Sequence, residues 1–89
     1  MPRDYKTSNN FNRVLARLQD KDKNTYEQLL KKMNEILNIS DVEHYKNLRH
    51  DLKEYKRVHV GSFVLTFKYD KTNDLILFTD FEHHDKIYQ

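Results

Sequence analysis

The apolar residues of this chain recur with a helical period up to about Asp41 and with a period of two after it. A single switch of this kind demands helices first, strands second, and one layer packed on the other. In the first half, Asn10 stands immediately before Phe11, Val14, Leu15 and Leu18, spaced i, i+3, i+4, i+7. That spacing predicts a short amphipathic helix with Asn10 available as its N-cap. A polar break at residues 20–23 follows, in which Asp22 or Asn24 can cap the next helix. Tyr26, Leu29, Leu30, Met33, Ile36 and Leu37 then form a second apolar stripe on strong helix formers. Two helices joined by so short a break pack as an antiparallel hairpin.

In the second half, Arg57-Val58-His59-Val60 alternates polar and apolar, Gly61-Ser62 interrupts, and residues 63–69 alternate again. Phe63, Leu65, Phe67 and Tyr69 share one face of that strand; Val64, Thr66 and Lys68 share the other. Asp70-Lys71-Thr72-Asn73-Asp74 has the composition of a hairpin turn. Leu75-Ile76-Leu77-Phe78 is apolar on both faces, as a central strand covered on two sides would be. A short extended stretch at residues 5–8 supplies a fourth strand. The expected architecture is α+β: short N-terminal strand, antiparallel helical hairpin, then a three-stranded antiparallel meander, all in one domain spanning residues 1–89. The helices cover one sheet face.

Composition narrows the chemistry. With no cysteine there is no disulfide scaffold, thiolate metal site or thiol nucleophile. The single glycine removes the Gly-rich phosphate loops. No stretch approaches the roughly 20 apolar residues of a membrane span, and the start, Met1-Pro2-Arg3-Asp4, lacks the apolar core of a secretory signal. The expected location is cytoplasmic, without membrane contact.

Charge is unevenly placed. Residues 46–68 carry six Lys/Arg against two Asp/Glu, whereas residues 69–89 carry two against five. A basic middle segment suits phosphate or an acidic partner, although a solvated charged face gives the same count. Five histidines are the main titratable stock, namely His44, His50, His59, His83 and His84. Their spacing does not suggest a zinc site, and no metal or cofactor is expected. Arg57 and His59 lie two apart on a predicted strand and project from one face. A phosphodiester there would meet one permanent cation and one side chain that changes charge near neutral pH. Attack by a ribose 2′-OH on the adjacent phosphate needs that pair of roles. Tyr88 is either a core aromatic or a phenol aimed at the same face, where it could stack on a base.

The run Tyr55-Lys56-Arg57-Val58-His59-Val60-Gly61-Ser62-Phe63 and the closing string His83-His84-Asp85-Lys86-Ile87-Tyr88 together resemble the RelE/ParE superfamily of toxins from type II toxin–antitoxin modules. The resemblance covers residues 48–88 and is nearest to compact archaeal-type members. It implies a RelE-like β-α-α-β-β-β fold and an mRNA interferase that cleaves mRNA at the ribosome without a metal. It also implies a cognate antitoxin, bound in a salt-sensitive way, beside the ribosome and mRNA as partners. Residue by residue, it places catalysis on Arg57, His59, His84 and Tyr88, and RNA binding on Lys53, Lys56 and His83. Val64 stands where the family run has an arginine that contacts phosphate, and His84 replaces a second arginine. Two alternatives follow from that departure: a ParE-like toxin that binds DNA gyrase without cleaving RNA, or an inactive RNA- or protein-binding member of the same fold.

Overall fold

A computed structural model describes residues 2–47 and 54–87. The chain runs β1 (Asp4–Thr7), α1 (Asn9–Lys21), α2 (Lys23–Asn38), a single 3₁₀ turn (Val42–His44), β2 (Tyr55–Val60), β3 (Phe63–Asp70), β4 (Leu75–His83) and α3 (His84–Ile87). The strands form one sheet in the order β1-β4-β3-β2. The meander is antiparallel, and β1 adds to it parallel to β4, with Tyr5 opposite Ile76. The expected α+β architecture is the observed one.

The two helices lie on one sheet face. Phe11, Val14 and Leu18 of α1 and Leu29, Met33 and Ile36 of α2 pack with Val60, Leu65, Phe67, Ile76, Phe78 and Phe81 of the sheet. Phe78 is central: it stacks on Phe11 at 5.6 Å between ring centroids and meets Tyr5 edge-on at 5.9 Å. Each fully buried side chain of this size contributes about 1.5–3 kcal/mol. Phe78 and Phe81 are three apart, which in a regular strand would send them to opposite faces. A bulge restores the parity: Thr66 pairs with Asp80 and Phe67 with Phe78, leaving Thr79 as the extra residue. Its hydroxyl donates to the Thr66 carbonyl at 3.0 Å.

Helix ends are closed from within the chain and from afar. The N-cap of α1 is Ser8, not Asn10. Its Oγ accepts from the Phe11 N–H at 3.0 Å and donates to the Thr79 carbonyl at 2.7 Å. Asn10 already lies inside the helix and donates instead to the Asp80 carboxylate. Asp22 caps α2 by accepting from the Thr25 N–H at 3.2 Å. At its other end α2 has no basic residue in the last turn. Arg3 supplies the charge from β1's approach, donating to the carbonyls of Ile36, Ile39 and Ser40. The same guanidinium donates through Nε to Asp74 Oδ1 at 2.7 Å, and the Tyr69 hydroxyl donates to that oxygen at 2.7 Å. The clasp thus joins the N-terminal segment, the end of α2 and the β3–β4 hairpin.

The open sheet face departs from simple alternation. Val64 and Thr66 are buried there, although neither belongs to the helix-side core in the way Leu65 and Phe67 do. Lys56 departs in the opposite sense. It points to the helix side, is only 7% exposed, and donates to the Tyr45 carbonyl at 3.1 Å, with Glu43 and Asn47 oxygens at 3.4 Å.

Ser8→Ala is expected to cost about 0.5–2 kcal/mol in urea unfolding, the usual loss of an N-cap side chain. Asn10→Ala should cost less, and an equal or larger loss there would return the cap to Asn10. The hydrogen bonds from Tyr69 and then Arg3 hold the Asp74 carboxyl below the usual carboxylate range. The unfolded chain therefore binds a proton at this position more readily than the folded one. The contribution is complete above the ordinary carboxylate pKa and disappears as pH falls through the lowered one. Asp74→Asn should accordingly shrink the acid-induced drop in the urea midpoint between pH 7 and pH 3; an unchanged drop would remove the clasp from the pH dependence.

Candidate functional site

The site begins with the register of β2. Tyr55, Arg57 and His59 face away from the helices, opposite Lys68, Thr66 and Val64 of β3. Lys56, Val58 and Val60 face the helix side opposite Phe67, Leu65 and Phe63. The β2–β3 connection is only Gly61 and Ser62, and Gly61 adopts φ +60°, a left-handed conformation that glycine takes without strain. This tight turn meets the end of β4: the His84 N–H donates to the Ser62 carbonyl at 2.9 Å. The chain leaving β4 is thereby held over the open face at the His59 end of β2.

That placement brings together residues 25 positions apart. The imidazoles of His59 and His84 stack, with centroids 5.6 Å apart and planes inclined at 28°. Val64, beside His59 in the sheet and opposite Glu82, is completely buried. The position that the family run gives to an arginine is closed here by packing. His83 does not join its neighbour. It lies on the helix side, edge-on to Phe63 at 5.7 Å, and its Nδ1 accepts from the Asp85 N–H at 3.3 Å. Asp85 lies within 3.7 Å of His83 and 3.8 Å of His84, so one carboxylate serves both rings.

Of the expected site residues, Arg57, His59 and His84 share the open face. His83 and Lys56 are on the other side of the sheet, and the buried ammonium of Lys56 is occupied by the loop before β2. Lys56 therefore acts in the structure as a tie for residues 43–47 rather than as a surface cation. Lys53 and Tyr88, together with His50, lie outside the described residues. Among the described residues, no group of three His, Cys, Asp or Glu side chains is placed to hold a metal ion.

A second wall comes from α2. Gln28, Lys31, Lys32 and Glu35 recur at i, i+3, i+4 and i+7 and face the outer edge of β2 near its Gly61 end. Two depressions of about 500 and 440 Å³ run along this edge and share Lys32, Glu35 and His59. The first reaches Lys31 and Gly61; the second reaches Arg57, Lys46, His44 and Tyr45. Lys46 is set there by a backbone bond, Arg57 N–H to the Lys46 carbonyl at 2.9 Å. Lys32 lies 2.6 Å from Glu35 and holds that carboxyl below its ordinary range. Burial, and then the Glu35 charge, push the Tyr45 hydroxyl up to about 12, so it stays protonated at neutral pH. Lys31, Lys32, Lys46 and His44 were not singled out as site residues from sequence. The polar stripe of α2 was the available signal, and it reads equally well as a solvated helix face.

No family model matches the chain. It is 46% identical over 80 residues to "Putative toxin RelE4" of Methanocaldococcus jannaschii, covering 89% of this chain and 83% of that protein. Its fold is similar to a YoeB/ParE toxin from Agrobacterium tumefaciens, with a TM-score of 0.75 at 8% identity, covering 91% of this chain and 98% of the other. It is also similar to a chain of the archaeal RelE–RelB complex from Pyrococcus horikoshii, with a TM-score of 0.67 at 12% identity over 93% and 96% of the two chains. The sequence match to a relative of almost the same length, together with the shared fold, establishes that the chain belongs to the RelE superfamily of toxins from toxin–antitoxin modules.

Proposed function

We propose that this toxin is an mRNA interferase that cuts mRNA at the ribosome in the cytoplasm, with its chemistry on Arg57, His59 and His84. The observation that carries the reading is the stacking of His84 on His59, on the face where Arg57 projects. In the reaction the ribose 2′-oxygen bonds to the adjacent phosphorus and the bond to the 5′-oxygen breaks. A 2′,3′-cyclic phosphate and a 5′-hydroxyl result. The 2′-hydroxyl proton must go to a base, and the leaving oxygen must receive one. Two imidazoles side by side supply an acceptor and a donor, and Arg57 stabilises the charge that develops on the phosphate oxygens. Tyr88 is proposed to stack on a base, and Lys53 to bind the RNA backbone.

The RelE of Pyrococcus horikoshii is described in complex with RelB. By that likeness the present chain has a cognate antitoxin. A charge-complementary, acidic antitoxin segment would make its binding salt-sensitive.

Mapping mRNA cleavage by primer extension, with and without ribosomes, tests the reading. Arg57→Ala and His59→Ala are each expected to lower the cleavage rate by about 100-fold or more. Wild-type protein that stops growth without cutting RNA would instead identify a ParE-like toxin that binds gyrase. Lys56→Met should leave cleavage per folded molecule unchanged while lowering stability by about 1–3 kcal/mol, because the buried Tyr45 carbonyl loses its donor. Loss of cleavage with unchanged stability would restore Lys56 to the RNA-binding surface.

A further inference from the structure

The α2–β2 groove is the cationic surface continuous with the proposed reaction centre. Among the described residues, its two depressions are lined by four permanent cations, Lys31, Lys32, Lys46 and Arg57, against one carboxylate, Glu35, which Lys32 already neutralises. Two other surface depressions differ. The one on the open sheet face sets Lys6 and Lys68 against Glu54 and Asp70, leaving no excess of either sign. The one between α1 and β4 sets Arg17, Lys21 and Lys86 against Glu82 around a floor of Phe63 and Phe81, but it opens on the helix side with His83, away from His59.

Order along the groove matters as much as its charge. His59 is common to both depressions, Lys31 lies toward the Gly61 end, and Lys46 lies toward the Arg57 end. From Arg57 to Gly61 the strand advances about 13 Å. Lys31 and Lys46 thus stand on either side of His59, and both side chains belong to exposed residues. We propose that this groove is the track for the backbone of single-stranded RNA, with Lys31 and Lys46 binding phosphates on the two sides of the one held at Arg57 and His59. The proposal rests on the nucleolytic reading of Arg57 and His59 and deepens it. In this geometry permanent charge reaches the substrate from the outer edge of β2, while the inner position, Val64, is apolar and buried.

The test is binding of a short single-stranded RNA with 2′-O-methyl sugars, which cannot be cleaved, followed by fluorescence anisotropy across a range of NaCl concentrations. Each phosphate contact to a single strand contributes about −0.7 to the slope of log affinity against log salt. Lys31→Ala/Lys46→Ala should make the slope shallower by about 1.4 and weaken binding at low salt. Lys6→Ala/Lys71→Ala, remote from the groove, should leave the slope unchanged. Equal slopes for wild type and the groove variant would overturn the track. So would tighter binding of a polyglutamate peptide than of the RNA at the same salt, because the groove would then suit an acidic protein segment. If ribosome-dependent cleavage persists with the slope unmoved, only the track is lost. If binding depends on the groove in a chain that cuts no RNA, only the nuclease reading is lost.

Discussion

Everything at the site depends on the register of β2. In the observed register Lys56, Val58 and Val60 face the helices, and Arg57 and His59 face outward. A slip of one residue would bury both Arg57 and His59 and expose the valines. Two valines are modest anchors for such a choice. The third is a lysine, whose buried ammonium binds the Tyr45 carbonyl and fixes the segment before the strand. Leaving a buried charge of this kind without its partners is costly, so a register that drew Lys56 away from the Tyr45 carbonyl would be penalised. The bond from Arg57 N–H to the Lys46 carbonyl reinforces the same alignment.

The remaining parts of the site are delivered by two local irregularities. The extra residue at Thr79 rotates the end of β4, so that Phe81 stays in the core while Glu82 comes level with Val64. Gly61 keeps the β2–β3 turn short enough for its Ser62 carbonyl to catch the His84 amide. Without the first, His83 and His84 would exchange faces; without the second, the stack on His59 would lose its backbone tether. The grouping of Arg57, His59 and His84 thus rests on backbone geometry more than on contacts among the side chains themselves.

The helical hairpin, the meander, the turn at residues 70–74 and the choice of Asp22 or Asn24 as the α2 cap, which the structure settles on Asp22, were legible because each rests on a local pattern. Apolar spacing and capping chemistry act within a few residues, and nothing distant opposes them. The pairing of Arg57 with His59 was legible for the same reason; that His83 falls on the helix side, away from His84, was not. The failures are all non-local. Ser8 wins the α1 cap from Asn10 because the same hydroxyl also meets the Thr79 carbonyl of β4. Lys56 reads as a surface cation until a loop closes over it, and Val64 as a surface position until it is covered. The Thr79 bulge leaves no mark in residues 75–78, which are apolar on both faces and carry no alternation to break. The stripe of Gln28, Lys31, Lys32 and Glu35 acquires meaning only when β2 is laid beside it.

The parallel pairing of β1 with β4 has a kinetic side. Asp4 meets Leu75 and Arg3 meets Asp74, so these contacts close a loop of 71 residues. The entropic cost of that closure is nearly fixed by chain length, and contacts of such long separation slow folding. During synthesis, β1 has no partner until the last of the central strands has left the ribosome. The Arg3–Asp74 half of the clasp therefore behaves like a latch that engages only after the β3–β4 hairpin has been made.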